Sequence, residues 1–140
     1  MQEITTQSSK TLTVDEYTTP ILATAEENTS VDQILETMKG EGIRHIPVTS
    51  AEGRPVGIIS ERDLKVFSLN PAWASKIEAA DIMTETPFSV TSGTALEEVV
   101  FEMSKRKVGS ALVVDGNSEL QGIFTSTDAL NALVEVLRGL

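Results

Sequence analysis

Apolar residues recur along the chain with two alternating periods, and the alternation itself occurs twice. Val31, Ile34, Leu35 and Met38 fall at i, i+3, i+4 and i+7, the stripe of an amphipathic helix, and Leu96, Val99, Val100 and Met103 reproduce that spacing 65 positions later. Each stripe follows a hydroxyl residue with an acid three places on, Thr29 with Asp32 and Thr94 with Glu97, which predicts a capped helix start. β-Branched apolar runs come next, Ile43 to Val48 and Val108 to Val114. Turn residues follow at Glu52-Gly53 and Asp115-Gly116-Asn117, and then second runs, Val56 to Ile59 and Leu120 to Phe124. Each half therefore predicts a hairpin behind a helix. Gly57 with Gly122, and Asp63 with Asp128, keep the 65-residue offset, so nothing is inserted between helix and second strand.

A further helix begins after each hairpin. Pro71 stops the first after Leu69, whereas Leu130, Leu133, Val134 and Leu137 form a longer stripe in the second. Upstream, Val14 to Thr18 ahead of Thr19-Pro20 echoes Ala80 to Thr84 ahead of Thr86-Pro87, and an extended segment is expected after each proline. The stretch from Ala72 to Ala80 lacks the Gly and Ser of a flexible linker and reads as a packed connector. The expected division is a tail at 1–13, a repeat at 14–71, a connector at 72–79 and a repeat at 80–140. One copy alone has little interior, so the two are expected to pack face to face about a pseudo-twofold axis.

Composition narrows the function. An apolar share of 40% beside 23% charged residues predicts a folded core. No apolar run reaches bilayer length and no leader-like opening is present, so a cytoplasmic location is expected. The formal charge of −10 argues against nucleic acid or an anionic membrane as partner. With no cysteine and a single histidine, His45, neither a zinc site nor a nucleophile-base pair can be assembled, and no phosphate-binding P-loop or dinucleotide motif occurs. Neither a catalytic nor a metal site is expected, and the chain reads as a non-enzyme.

The recurrent chemistry lies at the junction of second strand and second helix. Gly57 to Asp63 and Gly122 to Asp128 share a glycine, two apolar residues, a hydroxyl, two further residues and an aspartate. Ser60 with Asp63 and Thr125 with Asp128 read equally as capping boxes that need no ligand. As a site, the same groups suit a nucleoside phosphate: amides at a helix start attract phosphate, the aspartate accepts from vicinal ribose hydroxyls, and the glycine lets a flat base approach. Of the 11 Lys and Arg residues, Arg44, Arg62 and Lys65, together with His45, lie near the first motif, and Lys105-Arg106-Lys107 closes the second amphipathic helix. That triple run also reads as a complement to a helix C-terminus, and His45 as a strand histidine satisfied by its neighbours.

Taken in order, the doubled unit, the Arg44-His45-Ile46-Pro47-Val48 strand, the two glycine-to-aspartate motifs and Asp81-Ile82-Met83-Thr84 resemble a tandem pair of cystathionine-β-synthase (CBS) domains, or Bateman module, from about Val14 to Leu137. The resemblance implies an α+β or α/β fold of two β-α-β-β-α repeats packed sheet to sheet. It further implies two clefts that take AMP, ADP, ATP, S-adenosylmethionine or a related adenosyl compound as a regulatory ligand rather than a catalytic cofactor. Carried over, Asp63 and Asp128 are expected on ribose hydroxyls, Ser60 and Thr125 on phosphate or ribose, and Arg62 on phosphate, with Arg44 and His45 beside it. Thr19, Pro20 and Ile21, Ile46 and Pro47, and Thr86, Pro87 and Phe88 are expected to line the base. The second half departs from the pattern, with Leu112 in place of Pro47, Gly109-Ser110 in place of Arg44-His45, and Thr127 in place of Arg62. The resemblance also implies a homodimer and an unidentified regulated protein. The alternative is a ligand-free dimerisation or protein-interaction module whose aspartates are only caps.

Overall fold

The computed structural model describes residues 11–139. After a 3-10 turn at Val14–Tyr17 come β1 (Thr19–Pro20), β2 (Ala25–Glu26), α1 (Val31–Glu41), β3 (His45–Thr49), β4 (Pro55–Ser60) and α2 (Glu61–Leu64). A 3-10 stretch at Lys65–Leu69 leads to α3 (Pro71–Ala74), α4 (Ala79–Ile82), β5 (Thr84–Glu85) and β6 (Ser89–Thr91). The chain continues through α5 (Leu96–Arg106), β7 (Ser110–Val114), β8 (Leu120–Thr125) and α6 (Ser126–Leu137).

Both amphipathic helices form where their stripes predict, burying Val31, Ile34 and Met38 on α1 and Leu96, Val99 and Met103 on α5. Their caps differ from expectation. The N-caps are Ser30 and Ala95, one residue later than Thr29 and Thr94, and neither makes a side-chain cap bond. Thr29 instead accepts from the Glu26 amide (2.9 Å) and the Thr94 hydroxyl donates to the Thr91 carbonyl (2.6 Å), stabilising the preceding turns. α1 ends at Gly42 (φ 69°), whereas the equivalent Lys107 adopts φ 58°, a left-handed backbone that a side chain disfavours. The hairpins match residue for residue: His45 faces Ser60 and Ser110 faces Thr125, with a register shift at Val48/Thr49 and again at Val113/Val114.

Two four-stranded sheets result, in the orders β2-β3-β4-β5 and β1-β8-β7-β6. β1 comes from the opening of the first repeat but pairs with β8 of the second, Thr19 opposite Ile123 and Pro20 opposite Gly122. β5 makes the reciprocal crossing, Thr84 opposite Ile58 and Glu85 opposite Gly57. All four pairs are related by the 65-residue offset, so the true partner of Thr19-Pro20 is Thr84-Glu85, not the expected Thr86-Pro87. Hydrogen bonds decide the alignment, whereas the two prolines merely lie near it.

Both core clusters are therefore mixed. Val14 at 0% exposure, with Leu12 and Tyr17, packs among Leu96, Val99, Val113 and Phe124 of the second repeat. In turn Ala79, Ile77 and Met83 pack with Ile34, Ile46, Ile59 and Leu64 of the first. Leu12 and Thr13, placed in the expected tail, are tied down by Leu96 N–H to Leu12 O (2.8 Å) and a Thr13–Ala95 bridge. Their equivalents Ile77 and Glu78 in the connector mirror this through Val31 N–H to Ile77 O (2.8 Å) and a Ser30–Glu78 bridge. Residues 1–10 of the expected tail lie outside the described residues. Pro47 and Leu112, at equivalent positions of β3 and β7, are fully buried yet belong to neither cluster.

Candidate functional site

Where the sheets meet, two clefts open, of about 550 and 370 Å³. The larger gathers Ser60, Arg62 and Asp63 from the start of α2 with Thr84, Pro87 and Phe88 from the segment that crosses over from the second repeat. The smaller gathers Thr125, Thr127 and Asp128 from the start of α6 with Thr19, Pro20 and Ile21 from the segment crossing the other way. Displaced by 65 positions much of the two linings coincides: Thr19 corresponds to Thr84, Leu22 to Pro87, Ala23 to Phe88, Thr125 to Ser60 and Asp128 to Asp63, whereas Pro20, Ile21 and Pro47 have no counterpart in the larger cleft. The same local chemistry is thus built twice, each time from both repeats.

Each aspartate closes a capping box. The Ser60 amide donates to Asp63 Oδ2 (2.9 Å) and the Asp63 amide to Ser60 Oγ (3.3 Å). Likewise the Thr125 amide donates to Asp128 Oδ2 (2.9 Å), the Asp128 amide to Thr125 Oγ1 (3.4 Å), and Thr19 Oγ1 reaches Asp128 Oδ1 at 3.4 Å. The first helical amides are engaged too, Glu61 to the Arg44 carbonyl (2.7 Å) and Ser126 to the Gly109 carbonyl (3.0 Å). The expected phosphate-binding helix start is therefore partly occupied by its own chain. A carboxylate offers about four acceptor positions, so a cap bond through Oδ2 leaves acceptor capacity on the same group.

Most of the expected site residues border a cleft. Arg44, His45 and Thr125 line both, Ser60, Arg62, Asp63, Pro87 and Phe88 the larger, and Thr19, Pro20, Ile21, Pro47 and Asp128 the smaller. Two do not. Ile46 points into the first core cluster at 1% exposure because residues alternate on β3 and its neighbours His45 and Pro47 take the cleft side. Thr86 is exposed with φ 51° and borders neither cleft.

The glycines also need correction. A Cβ on Gly57 would lie 2.4 Å from Met83 Sδ, and one on Gly122 would lie 2.3 Å from Thr18 Cγ2 and 2.8 Å from the Thr19 carbonyl oxygen. What approaches each glycine is the crossing segment of the other repeat, not a base. Lys105, Arg106 and Lys107 line neither cleft. Arg106 pairs with Glu102 (3.0 Å) and stacks 4.6 Å from the centre of the Phe88 ring, behind the larger cleft. Of the cleft-lining residues that sequence reasoning did not choose, Leu22, Ala23, Thr84 and Thr127 carried one signal, their 65-residue offset from Pro87, Phe88, Thr19 and Arg62, whereas Ile43, Val108 and Ser126 carried none.

Electrostatics centre on the junction of the clefts. Burial holds His45 below its ordinary pKa; Asp63 opposes that shift, the Arg44 guanidinium reinforces it, and Asp128 and Glu61 oppose it. Among the described residues no group of three His, Asp or Glu side chains is placed to hold a metal ion, and no helix is long and apolar enough to cross a membrane.

A doubled hairpin-and-helix unit with exchanged opening strands and paired clefts defines a tandem-repeat domain pair. The CBS domain profile matches residues 14–69 and 79–135, and the chain belongs to the CBS domain family. It is 27% identical over 126 residues to a CBS domain-containing protein of Dictyostelium discoideum, covering 83% of this chain and 87% of that one. Its fold is similar to that of CBSX2 of Arabidopsis thaliana, solved in complex with AMP, with a TM-score of 0.74, 27% identity and coverage of 89% and 98%. It is equally similar to the CBS domain pair of protein MJ0100, solved in complex with 5′-methylthioadenosine and S-adenosyl-L-methionine, with a TM-score of 0.78, 25% identity and coverage of 90% and 98%. Other relatives are much longer, and the chain spans 45% of one and 20% of another.

Proposed function

We propose that this chain is a non-catalytic regulatory module that binds an adenosine-containing ligand, an adenine nucleotide or S-adenosylmethionine, in the clefts between its two CBS repeats. The observation that carries this reading is the pair of equivalent clefts, each holding one capping-box aspartate beside one crossing segment. Asp63 and Asp128 hold ribose hydroxyls. Arg62, Arg44 and His45, with the Ser60 and Thr125 hydroxyls, receive phosphate. Pro87 and Phe88 in the larger cleft, and Thr19, Pro20, Ile21 and Pro47 in the smaller, border the base. AMP in CBSX2 and methylthioadenosine with S-adenosylmethionine in the MJ0100 pair support the ligand class. Because every cleft joins both repeats, a bound ligand alters the packing of one against the other, and an unidentified partner protein reads that change.

A thermal-shift series with AMP, ADP, ATP and S-adenosylmethionine tests the proposal. At a ligand concentration a hundredfold above Kd the native state gains about 2.7 kcal/mol, a shift of several degrees. Asp63→Ala and Asp128→Ala should each lower basal stability by about 1 kcal/mol through cap loss, and the double variant should also lose the ligand-dependent rise. A double variant that keeps the full rise sinks the ribose assignment.

A second reading, a ligand-free dimerisation module, is favoured by caps that are complete without ligand and by α6. That helix exposes Leu130, Leu133 and Leu137 at 61%, 50% and 75%. Under it the chain is a homodimer by sedimentation, Leu137→Asp yields monomers, and no adenosyl compound alters its melting.

A further inference from the structure

The two clefts share their cations. Arg44 and His45 line both of them, as do Thr125 and Thr127 from the opposite helix start. Repeat symmetry would supply a second set at the positions 65 residues on, but Gly109 and Ser110 stand there, and Thr127 stands where Arg62 does. Arg62 borders the larger cleft alone, and no arginine or lysine borders only the smaller. Over a chain of formal charge −10, this shared pair is the cationic part of the smaller cleft's lining, beside the Thr125 and Thr127 hydroxyls.

Resting on the nucleotide reading, we propose that the clefts compete for phosphate: a nucleoside phosphate in the larger cleft engages Arg44 and His45 and thereby weakens phosphate binding in the smaller one. Two mechanisms act together. The donors of the shared pair are already engaged by the first phosphate, and the second anion must approach the first within a partly desolvated junction, where like charges a few ångströms apart repel far more than in water. The expected penalty on the second nucleotide is about tenfold or more in Kd. One tight phosphate-bearing ligand per chain, rather than two, is the working state of the module.

Calorimetric titration of the full chain with AMP tests this, with Thr127→Arg as the gain-of-function variant. Residue 127 is exposed on the first turn of α6 and lines both clefts, so an arginine there is tolerated and adds to the junction a cation beyond the Arg44-His45 pair, within reach of a phosphate in the smaller cleft while Arg62 still serves the larger. The expected result is one tight AMP site in the native chain, a second at least about tenfold weaker, and a second within about tenfold of the first in Thr127→Arg. Two equal AMP sites in the native chain overturn the competition but leave the nucleotide reading standing. A single site that Thr127→Arg leaves unchanged also overturns it, since the smaller cleft then rejects AMP for reasons other than charge. No AMP binding at all removes the nucleotide reading and this inference together.

Discussion

His45 shows how much a single side chain draws from its position. It is half-buried on β3, between the Arg44 guanidinium and the carboxylates of Asp63, Asp128 and Glu61, and burial outweighs the acids to hold its pKa below the ordinary value. Two pH effects of opposite origin follow. In the unliganded protein the unfolded chain binds the extra proton, so the His45 contribution to stability is fully present above about pH 6.5 and is lost as pH falls toward the folded value. Urea midpoints from about pH 5 to 7.5 should show this slope, and His45→Gln should flatten it. An anion in either cleft pushes the pKa back up, so AMP binding should take up a proton, more so in the native chain than in His45→Gln. Calorimetry in buffers of different ionisation enthalpy measures that uptake.

At the level of elements, the two-residue strands β1 and β5 settle the arrangement around each site. They carry no period of their own, and their pairing spans about a hundred residues for β1 and under thirty for β5, so only the glycine opposite each one hints at a crossing. The two glycines should respond differently to alanine. At Gly57 the new methyl meets only side-chain atoms, Met83 Sδ at 2.4 Å and Cγ at 2.8 Å with Cβ close at 3.1 Å, which a rotamer change of Met83 relieves in part, whereas at Gly122 it also meets the Thr19 backbone carbonyl, which cannot move without breaking the β1 pairing. Gly122→Ala should therefore lower stability by about 1–3 kcal/mol and Gly57→Ala by less. Equal melting points for the two variants would show that the strand, not the side chain, absorbs the overlap. The capping boxes and hairpins were legible because their signals lie within three to fifteen residues. The fault in aligning the two openings arose because a pair of nearby prolines is a weaker marker than the pairing geometry.

For the molecule as a whole, the exchange of opening segments makes the repeats interdependent. Val14 opens the first repeat yet is fully buried in the core of the second, and Ala79, its equivalent 65 positions on, is buried in the core of the first. Val14→Ala should cost about 2 kcal/mol from lost burial and the remaining cavity. The single tryptophan, Trp73, lies in the connector beside the first core. If the halves unfold as one, its fluorescence transition should shift with the far-UV signal in Val14→Ala. A far-UV loss that leaves the Trp73 transition in place would mean that the halves melt separately.

Sequence alone determined the repeat, its 65-residue offset, the helices and hairpins and the two aspartate motifs, since each depends on local periodicity or on residues a few places apart. It also picked out most of the side chains that border the clefts. Only the tertiary structure decided that Ile46 turns into the core while His45 and Pro47 face a cleft, that Gly57 and Gly122 admit crossing strands, and that one Arg44-His45 pair serves both clefts. Those facts depend on which face of a strand is covered and on segments paired across the two repeats, and neither is encoded in the spacing of neighbours along the chain.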